Sequence, residues 1–79
     1  MFVRLYNDYL LKEEEIIGIF DLDSATEMPT SRRFLREAEA KGKMRVAAKN
    51  IPRSFIVSES AVYLSHASAS SLIKSLHEA

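Results

Sequence analysis

The chain has no cysteine among its 79 residues, which excludes disulfide staples and thiolate metal sites. It has only two glycines, so a glycine loop that cradles phosphate is missing as well. No apolar run approaches the roughly 18 residues a membrane span needs, and the N-terminus lacks the basic segment and apolar stretch of a secretory signal. The expected compartment is therefore the cytosol, with no membrane partner. Net charge is also missing, since eleven bases balance eleven acids. Internal repeats, linkers and low-complexity segments do not occur.

What the chain does have is ordinary globular composition, 47% hydrophobic and 28% charged, which argues against disorder. Its length fits a single domain over residues 1–79. A chain this short buries roughly 60% of the surface that its unfolded form exposes, so its core is marginal. Small domains without disulfides or metal commonly gain stability by self-association.

The zero net charge is an average over unlike thirds. Residues 1–30 carry two bases and seven acids, residues 31–57 eight bases and two acids, and residues 58–79 one base and two acids. Such asymmetry points to an electrostatic partner for the basic part, either a polyanion or the acidic third of a neighbouring copy.

Alternation and β-rich composition predict strands over residues 2–6 and 9–12, with a turn at Asn7-Asp8. Glu13, Glu14 and Glu15 fit a solvated loop or an exposed edge. Residues 16–22 read as a strand with Ile16, Phe20 and Leu22 on one face and Ile17 and Ile19 on the other. Two apolar faces make that strand either central or covered by a partner, and Gly18 marks a kink or a close backbone approach. Residues 21–30 are polar and read as loop. Thr30 or Ser31 can cap a helix to Lys41, with Phe34, Leu35 and Ala38 as its apolar face and Gly42 as its stop. A strand over residues 44–48, a hairpin pairing residues 54–58 with 61–65, and a last helix capped by Ser68 complete the reading. The summary order is ββαβββα, an α+β domain with a small mixed or antiparallel sheet and two helices.

The basic region is the strongest local signal. Arg32 and Arg33 sit in the first turn of the first helix, where the dipole disfavours cations. Arg32 and Arg36 are like charges at i, i+4, which costs a few tenths of a kcal/mol. Local rule-breaking of this kind is expected at functional sites. Arginines beside free helix-terminal N–H groups suit phosphate or carboxylate, although a solvated helix face with a favourable Glu37–Lys41 pair reads equally from the same residues. Lys49 and Arg53 bracket a loop entering a strand and, with Lys43 and Arg45, extend the positive surface. Contacts of this type neutralise backbone phosphates in a salt-dependent way, and no base-reading motif accompanies them.

Other constellations carry less. Asp21 and Asp23 could pair as acid and base or bind a cation, or simply form a polar strand end. His66 and His77 have no second ligand at a metal spacing. Ser65-His66 lacks a nucleophile elbow. Tyr6, Tyr9, Phe55 and Tyr63 could stack on unpaired bases or pack across strands. The expectation is a protein that is not an enzyme and needs no cofactor or metal.

Several segments together resemble a known family. Asp8-Tyr9, Glu15-Ile16-Ile17-Gly18-Ile19-Phe20-Asp21, Pro52-Arg53-Ser54-Phe55-Ile56-Val57 and Val62-Tyr63-Leu64-Ser65 are similar to the RemA/RemB group of bacterial extracellular-matrix regulators, closest to its RemB branch. The resemblance covers nearly the whole chain and rests on length, element order and segment agreement rather than on one signature. It implies a LytTR-like α+β fold, assembly into rings, and arginines presented to DNA in regulation of matrix and biofilm genes. The basic loop of the RemA branch falls on Lys49-Asn50-Ile51-Pro52-Arg53. Arg53 keeps its counterpart, Asn50-Ile51 replaces an arginine pair, and Glu15 stands where that branch has an arginine. Arg32 and Arg33 correspond in part.

The functional expectation joins both lines. Copies are expected to associate by pairing the acidic third of one with the basic third of the next, an interface that closes into a ring where the rotation permits. Ile17, Ile19, Glu13 and Glu15 are the expected interface residues. Arg32, Arg33, Arg36, Lys49 and Arg53 are the expected contacts to the DNA backbone. The alternative is an interaction scaffold whose bases are used in subunit contacts, with a paralogue or an acidic protein as further partner.

Overall fold

The computed structural model describes residues 2–5 and 9–78, apart from the side chains of His77 and Glu78. The Asn7-Asp8 turn, Tyr6 and the His77 side chain fall outside the described residues. Six strands and three helices follow in the order βββααβββα: β1 (Phe2–Arg4), β2 (Leu10–Lys12), β3 (Ile16–Asp21), α1 (Leu22–Ala25), α2 (Pro29–Ala40), β4 (Met44–Ala47), β5 (Ser54–Ser58), β6 (Val62–Ser65) and α3 (Ala69–Glu78). This is an α+β domain with a mixed sheet; it holds the three strands read before the first helix, one more than the summary order ββαβββα counts, and α1 is the element that reading lacked. Leu10–Lys12 and Ile16–Asp21 are separate strands because Glu13–Glu15 form a one-turn 3-10 helix between them. The polar segment after β3 begins with α1, whose N-cap Asp21 accepts from the Asp23 amide at 3.3 Å and from Ser24 Oγ at 3.1 Å.

The main sheet has the order β3-β5-β6-β4. β5 is antiparallel to both β3 and β6, while β6 and β4 are parallel. The interior strands are therefore β5 and β6, and Phe55 and Ile56 of β5 point to opposite faces and are both buried. Residues 16–22, expected to be either central or covered by a partner, form an edge strand, β3, so the first alternative is excluded. β3 and β4 run in the same direction along opposite edges. The reason is the connection: α1 and α2 cross one face, and a crossover joins parallel strands where a tight turn would join antiparallel ones.

Two cores fill the two faces. On one, Val3, Leu5 and Leu11 of the β1–β2 hairpin meet Ala47, Ile56 and Leu72 of α3. On the other, Ala38 of α2 meets Phe55 and Val62, with Leu22, Leu35 and Met44 against them. The expected faces of β3 are also corrected. Ile16 pairs with Ser58 and Gly18 with Val57, so Ile17 is the extra residue of a β-bulge. The bulge resets the alternation. Ile16 and Ile19 pack together in the hairpin core, whereas Phe20 stacks on Phe55 on the α2 face, centroids 5.2 Å apart.

Helix α2 starts two residues before a Thr30 cap would place it, and three before a Ser31 cap. Pro29 occupies its first turn and Met28 is the N-cap, without a side-chain bond. It stops as the sequence indicates. Gly42 takes a left-handed φ of 70°, and the Gly42 and Lys43 amides donate back to the Glu39 and Ala38 carbonyls at 3.0 and 2.9 Å. At α3, Ser68 Oγ accepts from the Ser71 amide at 3.2 Å, the expected cap.

Candidate functional site

The β4–β5 connection, residues 48–53, has to pass over the end of β6, because β6 lies between the two strands it joins. It is pinned on both sides of that crossing. The Lys49 amide donates to His66 Nδ1 at 2.9 Å. The Arg53 amide donates to the Ser65 carbonyl at 2.8 Å, and the Arg53 carbonyl accepts from the Leu22 amide at 3.0 Å. Asn50 and Ile51 project between these pins into solvent, and the Lys49 and Arg53 side chains are exposed. A loop held at its ends by a rigid sheet is suited to presenting contacts.

The same end of the sheet receives the first turns of α2, since the chain leaves β3 there and reaches Pro29 after one short helix. Arg32 is only partly available: its Nη1 donates to the Thr26 carbonyl at 2.7 Å and ties α2 to the preceding turn. Its place in an unfavourable dipole position thus has a local structural reason. Arg33 and Arg36 are exposed one turn on. The structure therefore brings Lys49 and Arg53 onto one loop and Arg32, Arg33 and Arg36 onto one helix; Arg32 and Arg33 lie in the half of α2 that starts at the loop's end of the sheet, and Arg36 lies past its midpoint. Lys41 and Lys43 lie at the other end, around a groove shared with Glu37 and Glu59.

Acids temper this basic end. Arg53 lines an open cavity of about 650 Å³ with Asp21, Asp23, Ser68 and Ser70. Asp21 is committed to capping α1, which answers what that carboxylate does without invoking chemistry. Among the described residues, no group of three or more His, Asp or Glu is placed to hold a metal ion. Tyr9 and Tyr63 meet edge to face at 5.4 Å, and Phe55 is buried, so these aromatics pack across the sheet.

The four expected interface residues separate. Ile17 is 69% exposed on the outer edge. Ile19 is partly buried and packs against the chain's own core. Glu13 is exposed, while Glu15 is partly buried and its carbonyl accepts from the Glu59 amide at 3.3 Å. Two residues that position the site were not legible in the sequence. His66 read as a metal ligand without a second ligand at a metal spacing, and Ser65-His66 as a pair without a nucleophile elbow. Their role as pins follows from the adjacency of β4 and β6, a parallel pairing that local pattern does not encode.

No protein-family model matches the chain, and no curated protein matches it.

Proposed function

We propose that the chain is a non-enzymatic regulator that acts as a ring-forming homo-oligomer and holds the DNA backbone through repeated basic surfaces. Arg33, Arg36, Lys49 and Arg53 make the contacts, and Arg32 positions the helix that carries two of them. The observation that carries this reading is the pinned 48–53 loop, which presents exposed Lys49 and Arg53 at the sheet end where α2 begins. Asp21 and Asp23 beside Arg53 keep one copy a weak binder, so several copies must act together. The similarity to the RemA/RemB regulators adds the process, control of extracellular-matrix and biofilm genes in the cytoplasm. The chain has no helix long and apolar enough to cross a membrane among the described residues.

Fluorescence anisotropy with duplex DNA over a salt series tests the reading. The logarithm of the binding constant should fall linearly with the logarithm of salt, by about 0.9 for each phosphate neutralised. No binding at low salt removes the DNA contact. The scaffold alternative then stands, favoured by the acids that already share the basic end.

A further inference from the structure

We infer that Ile51 is an apolar wedge for the minor groove of duplex DNA, inserted between base steps while Lys49 and Arg53 hold phosphates on either side. This rests on the DNA reading above and states how the pinned loop binds.

Four observations meet. First, Ile51 is 83% exposed, the most exposed large hydrophobic residue among the described ones. A single exposed isoleucine is ordinary on a protein surface. What sets this one apart is its setting: it stands at the tip of a loop between exposed Asn50 and half-buried Pro52.

Second, the loop is stiff where Ile51 sits. Its two sides are held by the Lys49 amide on His66 Nδ1 at 2.9 Å and the Arg53 amide on the Ser65 carbonyl at 2.8 Å. Pro52 confines the residue before it to extended backbone, and the branched Cβ of Ile51 narrows its own χ1 choice. A side chain that parts stacked bases gains from such restraint, because less freedom is lost on binding.

Third, the neighbours of Ile51 suit the minor groove. Lys49 and Arg53 are exposed two residues to either side. Four residues span at most about 14 Å, so these two cations can reach both strands across a groove about 6 Å wide. Asn50 supplies an amide donor for the adenine N3 and thymine O2 acceptors found there. The major groove admits a helix or a two-stranded ribbon, and the 48–53 loop is neither.

Fourth, phosphate attraction alone is tempered here, because Asp21 and Asp23 line a cavity with Arg53. An inserted apolar side chain adds binding that salt does not screen. It also accounts for an isoleucine where a purely electrostatic loop would carry a polar residue.

The test compares the full wild-type chain with Ile51→Ala and Ile51→Leu on a duplex of repeated TA steps, the most easily unstacked kind. Several adenines are replaced by 2-aminopurine, which brightens when it leaves the stack. A second duplex carries one T·T mismatch, where part of the unstacking is already done. Wild type should brighten the probe and favour the mismatched duplex by about tenfold. Ile51→Ala should keep the salt slope of binding and lose both the brightening and the preference, and Ile51→Leu should keep both. Wild type that binds without brightening, or Ile51→Ala that brightens equally, overturns the wedge and leaves the phosphate contacts standing. No binding by wild type at low salt overturns the wedge and the DNA reading together. An oligomer whose size on a sizing column changes in Ile51→Ala assigns Ile51 to a subunit contact and overturns the wedge as well.

Discussion

The ring of Phe20 lies over Gly18, so that a Cβ added at Gly18 would stand 2.6 Å from Phe20 Cε2. Gly18→Ala must push the half-exposed ring off its stack on Phe55. That stack is worth about 0.5–1.5 kcal/mol, against a gain of about 0.4–1 kcal/mol from a stiffer unfolded chain. We expect Gly18→Ala to be neutral to slightly destabilising in urea denaturation, and stabilising once Phe20→Ala has cleared the space. Additive effects in that double-mutant cycle would contradict the packing described.

The bond from the Lys49 amide to His66 Nδ1 needs an imidazole with that nitrogen unprotonated. Hydrogen exchange of the Lys49 amide should quicken in His66→Ala and slow again in His66→Asn, whose Oδ1 can accept in its place. Equal exchange in all three proteins would show that the pin does not hold the loop.

Arg32 and Arg33 are neighbours with different duties. Arg32→Ala loses the bond to the Thr26 carbonyl and should cost about 0.5–1.5 kcal/mol of stability. Arg33→Ala should leave the denaturation midpoint within about 0.5 kcal/mol and lower the salt slope of DNA binding by about one unit. The reverse pattern would move the DNA contact to Arg32.

Ser54 is fully buried in β5, and its hydroxyl donates to the Ala67 carbonyl at 2.7 Å, joining that interior strand to the turn before α3. Ser54→Ala should cost about 1–3 kcal/mol, because the carbonyl is left without its donor. Exposed Ser60→Ala is the control, expected within about 0.5 kcal/mol. Equal midpoints for the two variants would count against this bond.

The sequence made the elements legible where one local signal governs them. The Gly42 stop, the Ser68 cap and the hairpin of β5 with β6 each follow from one or two residues in known backbone states. It misplaced what depends on insertion or adjacency. The bulge at Ile17 adds one residue to an alternating run of isoleucines, and composition carries no mark of it, so Ile17 and Ile19 were set on one face when they occupy two. Leu22–Ala25 was hidden because Asp21 and Ser24 suit a turn and a helix cap equally. Whether Ile16–Asp21 is central or an edge stayed open for a related reason: Ile16–Asp21 and Ser54–Ser58 are similarly apolar, and only the pairing order separates an edge from a centre. At the candidate site, the basic residues were visible as composition. The hydrogen bonds of Arg32, and the acids Asp21 and Asp23 folded in beside Arg53, were not.

Light scattering of the wild-type chain on a sizing column, run with and without duplex DNA, tests the account most directly. The account predicts a particle of several times 9.0 kDa that shifts with DNA at low salt. A well-folded 9.0 kDa particle that leaves the DNA peak unmoved would contradict it.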